Sequence, residues 1–212
     1  TALMLLTSVM GAYPLTVGKL IGRKVYVFFL LVPMYVSGGL IPTYLLMTKI
    51  GLYNNIWAII IPSGYGIGNL ILTNTYFRSS IGEEIRESAK IDGANHLTIL
   101  FRIYMPLAVP LLAVIAIYTI VGVWNSWFNS ALYLTNKNLH PLQMFMRSVL
   151  IEKTIDFTVM TKEEITNALL QNQQKLQFRY AAIVVSTLPV LLTYPFLQKY
   201  FIKGIMIGSL KG

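Results

Sequence analysis

The chain has 212 residues, of which 55% are hydrophobic and 12% charged, and its mean hydropathy is +0.62. Soluble domains carry about 25% charged residues, so the composition argues against a soluble enzyme, a nucleic-acid binder or a disordered tail. The net charge of +9 is then best placed beside membrane headgroups, and the lack of cysteine excludes disulfide frameworks and thiolate metal sites.

All 17 Lys and Arg and all 8 Asp and Glu fall outside the stretches 1–18, 25–48, 50–77, 103–136 and 180–198. A helix crossing a bilayer core of roughly 30 Å needs about 20 apolar residues. A charge at mid-membrane costs roughly 2.5–3.5 kcal/mol on insertion scales, which accounts for the segregation. The pattern predicts an all-α, polytopic membrane helical bundle with spans near 1–17, 25–45, 55–77, 105–126 and 179–198. The first span begins inside its apolar run, without a basic flank or a small-residue cleavage site. It is therefore expected to be a true span of an N-terminally incomplete chain rather than a signal peptide.

The cations set an orientation. Lys19, Arg23 and Lys24 lie in the first loop, and Arg78, Arg86, Lys90 and Arg102 lie in the loop 78–102. Lys199, Lys203 and Lys211 lie in the tail. The positive-inside rule puts these segments in the cytoplasm, with residue 1 outside. Lys49 and the mixed-charge segment 127–178 fall on the outer side.

Pro33, Pro42, Pro62, Pro106, Pro110, Pro189 and Pro195 lie in or near the spans, so these are not simple rods. Gly64 and Gly68 form a small-xxx-small pattern expected to bring helices close. Asn69, Thr73 and Asn74 are expected to face protein or a cavity rather than lipid, by interhelical hydrogen bonding or by substrate contact.

The segment 79–106 carries the most information. Ser80 followed by Glu83 is a capping-box pattern, predicting a short helix over about 81–91. Ile81, Ile85 and Ala89 then share a stripe, flanked by Glu84, Arg86, Glu87 and Lys90. Asp92-Gly93 ends the helix, because glycine accepts a left-handed cap. Asn95 caps a second short helix with Leu97, Leu100, Phe101 and Tyr104 as its apolar side chains, and Pro106 opens the next span. On these grounds alone, an interfacial amphipathic hairpin accounts equally for the pattern.

Glu87-Ser88-Ala89, then Gly93, then Ile103-Tyr104-Met105-Pro106, resembles the EAA loop of ABC importer permeases, with Ser88 and Met105 as mild departures. Asp92-Gly93-Ala94, Trp124-Asn125-Ser126-Trp127-Phe128, Pro141-Leu142-Gln143 and the Lys203-Gly204 to Lys211-Gly212 tail are similar to the maltose-type carbohydrate branch. The resemblance covers essentially the whole chain and implies one transmembrane domain over 1–212, usually of six spans in the family. It also implies a cytoplasmic coupling loop over 79–104 and an extracellular loop over 127–178. It implies a permease subunit that passes a carbohydrate, with a lean toward oligosaccharides, by alternating access. The implied partners are a second homologous permease, two ATPase subunits and an extracellular solute-binding protein. Ile81, Ile85, Glu87, Ser88, Ala89, Asp92, Gly93 and Ala94 would couple this chain to the ATPase, with Ile81, Ile85 and Ala89 supplying the buried docking face.

The chain lacks G-x-x-x-x-G-K-[ST], so no cofactor is expected on it, and ATP and Mg would belong to the partner ATPase. Trp124, Asn125, Trp127, Asn129 and Asn69 are the candidates for the substrate pathway, joining aromatic faces to amides. Aromatic anchoring at the headgroups explains the tryptophans as well. Tyr118 sits on roughly the opposite helix side from Trp124. In the outer segment, a turn at His140-Pro141 precedes a short helix over 143–151, and Thr161 to Glu164 is a second capping-box candidate. His96 and His140 lie far apart without acidic partners at ligand spacing, so no metal site is expected. A secondary transporter would ordinarily bury ionisable residues, and the uncharged stretches hold none.

Overall fold

The structure, a computed structural model, describes residues 1–18, 20–150, 177–193 and 195. Among these, all regular structure is helical. The elements are α1 (Ala2–Thr16), α2 (Arg23–Tyr35), α3 (Leu40–Lys49), α4 (Trp57–Ser63), α5 (Ile67–Ser80), α6 (Glu83–Ile91), α7 (His96–Ile99), α8 (Met105–Leu107), α9 (Val109–Trp124), α10 (Phe128–Tyr133), α11 (Leu142–Leu150) and α12 (Gln177–Thr193). A π-helical turn, Leu100–Tyr104, joins α7 to α8.

The spans are broken, in keeping with the prolines that lie in or near them. Among the described residues, no single helix is long and apolar enough to cross a membrane. Two bent pairs pass by length and composition: α2 with α3, bent by 111°, and His96–Leu107 with α9, bent by 78°. Each break has a local cause. The 25–45 span is interrupted at Val36 to Gly39, where Ser37 Oγ accepts the Gly39 N–H at 3.2 Å and offers the backbone an alternative to the helix. The 55–77 span is interrupted at Gly64 to Gly66, just after Pro62. The Gly64 carbonyl, left outside both helices, accepts the Thr7 hydroxyl at 2.7 Å. Near Ala108, Pro106 and Pro110 remove N–H groups that would otherwise bond the carbonyls of residues 102 and 106. The 1–17 span matches α1. The last expected span is described as α12, and its final residues, like the 199–211 cations and the Thr161 capping box, lie outside the described residues.

α1 lies along α5 in parallel. Thr7 meets Gly64 and, further along, the Asn74 side-chain amide donates to the Ala12 carbonyl at 3.2 Å. A Cβ on Gly11 would lie 2.5 Å from Leu70 Cδ1, and one on Gly64 would overlap Leu3. The close-packing glycines are therefore Gly11 and Gly64; Gly68, expected as the partner of Gly64, meets nothing within 4 Å. α9 runs antiparallel to α5, with Tyr76 Oη donating to the Leu107 carbonyl at 3.3 Å and Met4 of α1 packed on Leu111 and Ile115. Loops that the charge pattern assigns to one side meet at one end, where Gly18, Arg23, Arg78, Glu83 and Arg86 share a cavity. Those assigned to the other side also meet: Asn54 Oδ1 accepts the N–H groups of Thr135 and Asn136 at 3.1 and 2.9 Å.

Candidate functional site

The 79–104 segment folds as two short helices around a glycine, and its amino end differs from the expectation. α5 continues through Ser80, which leaves that residue unable to cap the next helix. Gly82 occupies the N-cap of α6 without a side-chain cap, and the helix begins at Glu83 rather than at 81.

The carboxyl end of α6 closes as a Schellman motif. The Ala94 N–H bonds the Ala89 carbonyl at 2.9 Å, and the Gly93 N–H bonds the Lys90 carbonyl at 3.0 Å. Gly93 takes φ +82°, where an L side chain is strained. Asn95 then caps α7, its Oδ1 accepting the Thr98 N–H at 2.8 Å. The glycine turn and the asparagine cap both stand where the sequence puts them.

The stripe on α6 is differently phased. Ile81 is 3% exposed and Ala89 7% exposed, and both join the chain's own core with Val9, Tyr13, Phe77, Ile99, Leu100 and Tyr104. Ile81 and Ala89 are thus corrected from a partner-facing surface to an internal one. Arg86, expected on the solvated side, is 6% exposed and is paired with Glu83. A buried cation is tolerated when an opposite charge accompanies it. The inward line through Arg86 and Ala89 follows the i, i+3 spacing, which turns Ile85 to the rim at 42% exposure. Glu87, Ser88, Asp92 and Gly93 are exposed, and Ala94 is half-buried against the core.

Ile91, at 87% exposure, and Leu97 are, like Ile85, exposed apolar side chains of the hairpin. The stripe reasoning passed over Ile91, although an isoleucine next to an Asp-Gly helix end was a visible signal. The hairpin is tied to the bundle by Tyr13, whose Oη lies 2.9 Å from His96 Nδ1 and whose ring meets Tyr104 edge-on at 5.2 Å.

A separate cleft of about 270 Å³ lies between α1, the α4–α5 break and α9. Asn69, Ser63, Thr119 and Ser126 supply hydrogen-bonding groups to its wall, and Tyr118, largely exposed, supplies an aromatic ring. Of the pathway candidates, only Asn69 lines it. Trp124 lies outside the cleft lining, and its indole Nε1 donates to the Ser186 carbonyl of α12 at 3.0 Å. Trp127 meets Phe128 edge-on and carries the Arg147 guanidinium 3.2 Å from its ring centre, a cation–π contact. Asn125 and Asn129 are exposed outside the cleft. Tyr118 and Asn69 line one cleft because α9 packs antiparallel to α5, a relation between distant segments that helix phasing within one span does not contain. The short helix expected at 143–151 is α11, and His140 Nε2 lies 3.0 Å from the Leu134 carbonyl, which secures the turn before it.

The family of binding-protein-dependent transport system inner membrane components matches residues 4–207. Protein LplC of Bacillus subtilis (strain 168) is 39% identical over 212 residues, covering 100% of this chain and 70% of its own length. The polygalacturonan/rhamnogalacturonan transport system permease protein YtcP of the same organism is 38% identical over 212 residues, covering 100% of this chain and 72% of its own length. The melibiose/raffinose/stachyose import permease protein MelC, also of Bacillus subtilis (strain 168), is 29% identical over 215 residues, covering 99% of this chain and 71% of its own length. With the match running through the hairpin, the cleft and the bundle that joins them, this chain belongs to the family of binding-protein-dependent transport system inner membrane components, and is a membrane permease subunit rather than an enzyme.

Proposed function

We propose that this chain forms part of the translocation pathway of an ABC importer for an oligosaccharide, working by alternating access. The observation that carries the reading is similarity along the whole chain to permeases whose names specify saccharides of several units. The cleft supports it chemically: a pyranose ring offers an apolar face to an aromatic side chain such as Tyr118 and hydroxyls to groups such as Asn69, Ser63 and Ser126.

Energy enters from elsewhere, since no P-loop is present in the sequence. Two ATPase subunits holding ATP and Mg, a second homologous permease and an extracellular solute-binding protein complete the assembly in this reading. Residue 1 lies outside and the carboxyl terminus lies in the cytoplasm. The hairpin of α6 and α7 meets the ATPase through its exposed rim, Ile85, Glu87, Ser88, Ile91 and Leu97. Coupling requires that nucleotide binding favour one permease conformation by a differential free energy. The Tyr13–His96 contact and the edge-on rings of Tyr13, Tyr104 and Phe77 give a displacement of the hairpin a rigid route into α1 and α5.

The test is reconstitution of the assembled transporter in proteoliposomes with its binding protein, across a panel of neutral and uronate oligosaccharides. The reading expects ATP hydrolysis and solute uptake to rise together with one class of saccharide. Uptake without an ATP-hydrolysing subunit, or stimulation confined to non-sugar solutes, would overturn it. Tyr118→Ala is expected to reduce sugar-stimulated uptake while leaving basal ATP hydrolysis unchanged.

A further inference from the structure

We propose that the groove between the start of α2 and the end of α5 binds one anionic phospholipid of the cytoplasmic leaflet. The groove encloses about 790 Å³. Its polar end is formed by Arg23, Lys24 and Arg78, and its apolar wall by Val27, Phe28 and Leu31. No acid lines it. Among the described residues, none of the three cations has a salt bridge. Glu83 lines the smaller adjoining cavity with Arg23 and Arg78, but its carboxylate is taken by Arg86.

The order of these residues along α2 selects the ligand. Arg23, Val27 and Leu31 follow one another at i+4, and Lys24 and Phe28 form the row beside them. At a rise of about 1.5 Å per residue, the stripe passes from charge to hydrocarbon over roughly 12 Å. A phosphodiester headgroup with an acyl chain below it has this same gradient. A free phosphate would fill only the cationic end. α2 buries none of its residues fully within the chain; Phe28 is 64% exposed, and Val27 and Leu31 are half-buried, so the apolar wall is accessible from the side of α2. Three cations gathered at one end of the groove attract an anion, and the inner leaflet supplies anionic headgroups.

The leaflet named here rests on the orientation proposed above, whereas the lipid chemistry does not. The experiment is native mass spectrometry of the assembled transporter with phosphatidylglycerol or phosphatidylcholine, and with a diazirine-bearing phosphatidylglycerol for mapping. The wild type is expected to retain phosphatidylglycerol selectively and to crosslink on the α2 peptide that carries Phe28 and Leu31. Arg23→Gln, Lys24→Gln and Arg78→Gln combined should weaken retention on the order of a hundredfold, at about fivefold for each cation near a surface. Lys90→Gln with Arg102→Gln, cations outside the groove, should leave it unchanged. Equal retention of phosphatidylcholine, displacement of the lipid by excess inorganic phosphate, or no crosslink on α2 in the wild type would overturn the proposal. The crosslink needs no variant, so misfolding of the triple substitution does not rescue it. Lys24→Cys, in a sequence whose 212 residues hold no cysteine, is expected to label only from the cytoplasmic face. Labelling from outside would overturn the orientation and the assigned leaflet while leaving a selective lipid site in place. Failure of sugar uptake in the proteoliposome assay would leave both results untouched.

Discussion

α1 and α2 are apolar helices of similar length, 15 and 13 residues, yet α1 buries Met4, Ser8, Val9, Ala12, Tyr13 and Leu15 while α2 buries nothing within the chain. Side-chain size along the packed face separates them. Ser8, Gly11 and Ala12 keep one side of α1 thin, so α5 comes close enough for side chain–carbonyl bonds between helices. α2 carries Val25, Tyr26, Phe28 and Phe29, all exposed. On a soluble protein such a face would mark an interface or an aggregation hazard. In a membrane component it is at home against acyl chains. In this bundle, small residues mark the inward helix and large ones the outward helix.

The strongest way to break that contrast is to thicken α1. Gly11→Leu forces a side chain into the space held by Leu70 and is expected to cost about 1–3 kcal/mol, the usual penalty for overpacking. Phe29→Leu on α2 should change stability by no more than about 0.5 kcal/mol, as for exposed positions generally. Thermal unfolding of the detergent-solubilised assembly measures both. Equal effects at the two sites would remove the distinction between an inner and an outer helix.

A smaller effect separates folding from docking within the hairpin. Gly93→Val must hold a branched residue at φ +82°, costing about 1–2 kcal/mol and loosening the α6 cap. Glu87→Lys alters an exposed side chain and is expected to leave stability unchanged. Both should reduce copurification of the ATPase while membrane insertion continues. If Glu87→Lys and Ile91→Asp both copurify the ATPase normally and sustain uptake, the exposed rim of α6 is not the docking surface.

The hairpin also shows which features were legible in the sequence and which were not. The Asp92-Gly93 stop and the Asn95 cap are local: each depends on backbone chemistry within four residues, and each stands where expected. The start of α6 was misplaced because Ser80 carries a capping-box spacing, but α5 had not yet ended there. The partner-facing stripe was misassigned because Ile81 and Ala89 turn toward Tyr13, Phe77 and Tyr104, residues distant in sequence from α6 or set by a turn outside it. The segregation of charges located the apolar segments correctly. The prolines marked these segments as other than simple rods, but where each one breaks and how far it bends depends on neighbours such as Thr7 that satisfy the freed carbonyls. The cleft was the least legible feature, because it depends on the opposite running directions of α5 and α9.

The comparison is sharpened most finely where α1 meets α5. Asn74 and Ser8 are both buried polar residues at this interface, but Asn74 donates to the Ala12 carbonyl and Ser8 Oγ has no partner among the described residues. Asn74→Ala removes an interhelical hydrogen bond and should cost about 0.6 kcal/mol, the average for such bonds within membranes, and at most about 1.7 kcal/mol. Ser8→Ala removes only an unsatisfied hydroxyl and keeps the narrow profile that lets α5 approach, so stability should stay level or rise by up to about 1 kcal/mol. Unfolding midpoints of the two variants in the same detergent decide the point. If Ser8→Ala lowered the midpoint as much as Asn74→Ala, the hydroxyl would be bonded in the assembled transporter. The small residues of α1 would then serve polar contact as well as close approach. A rise would leave size alone as the reason Ser8 lies on the inward face.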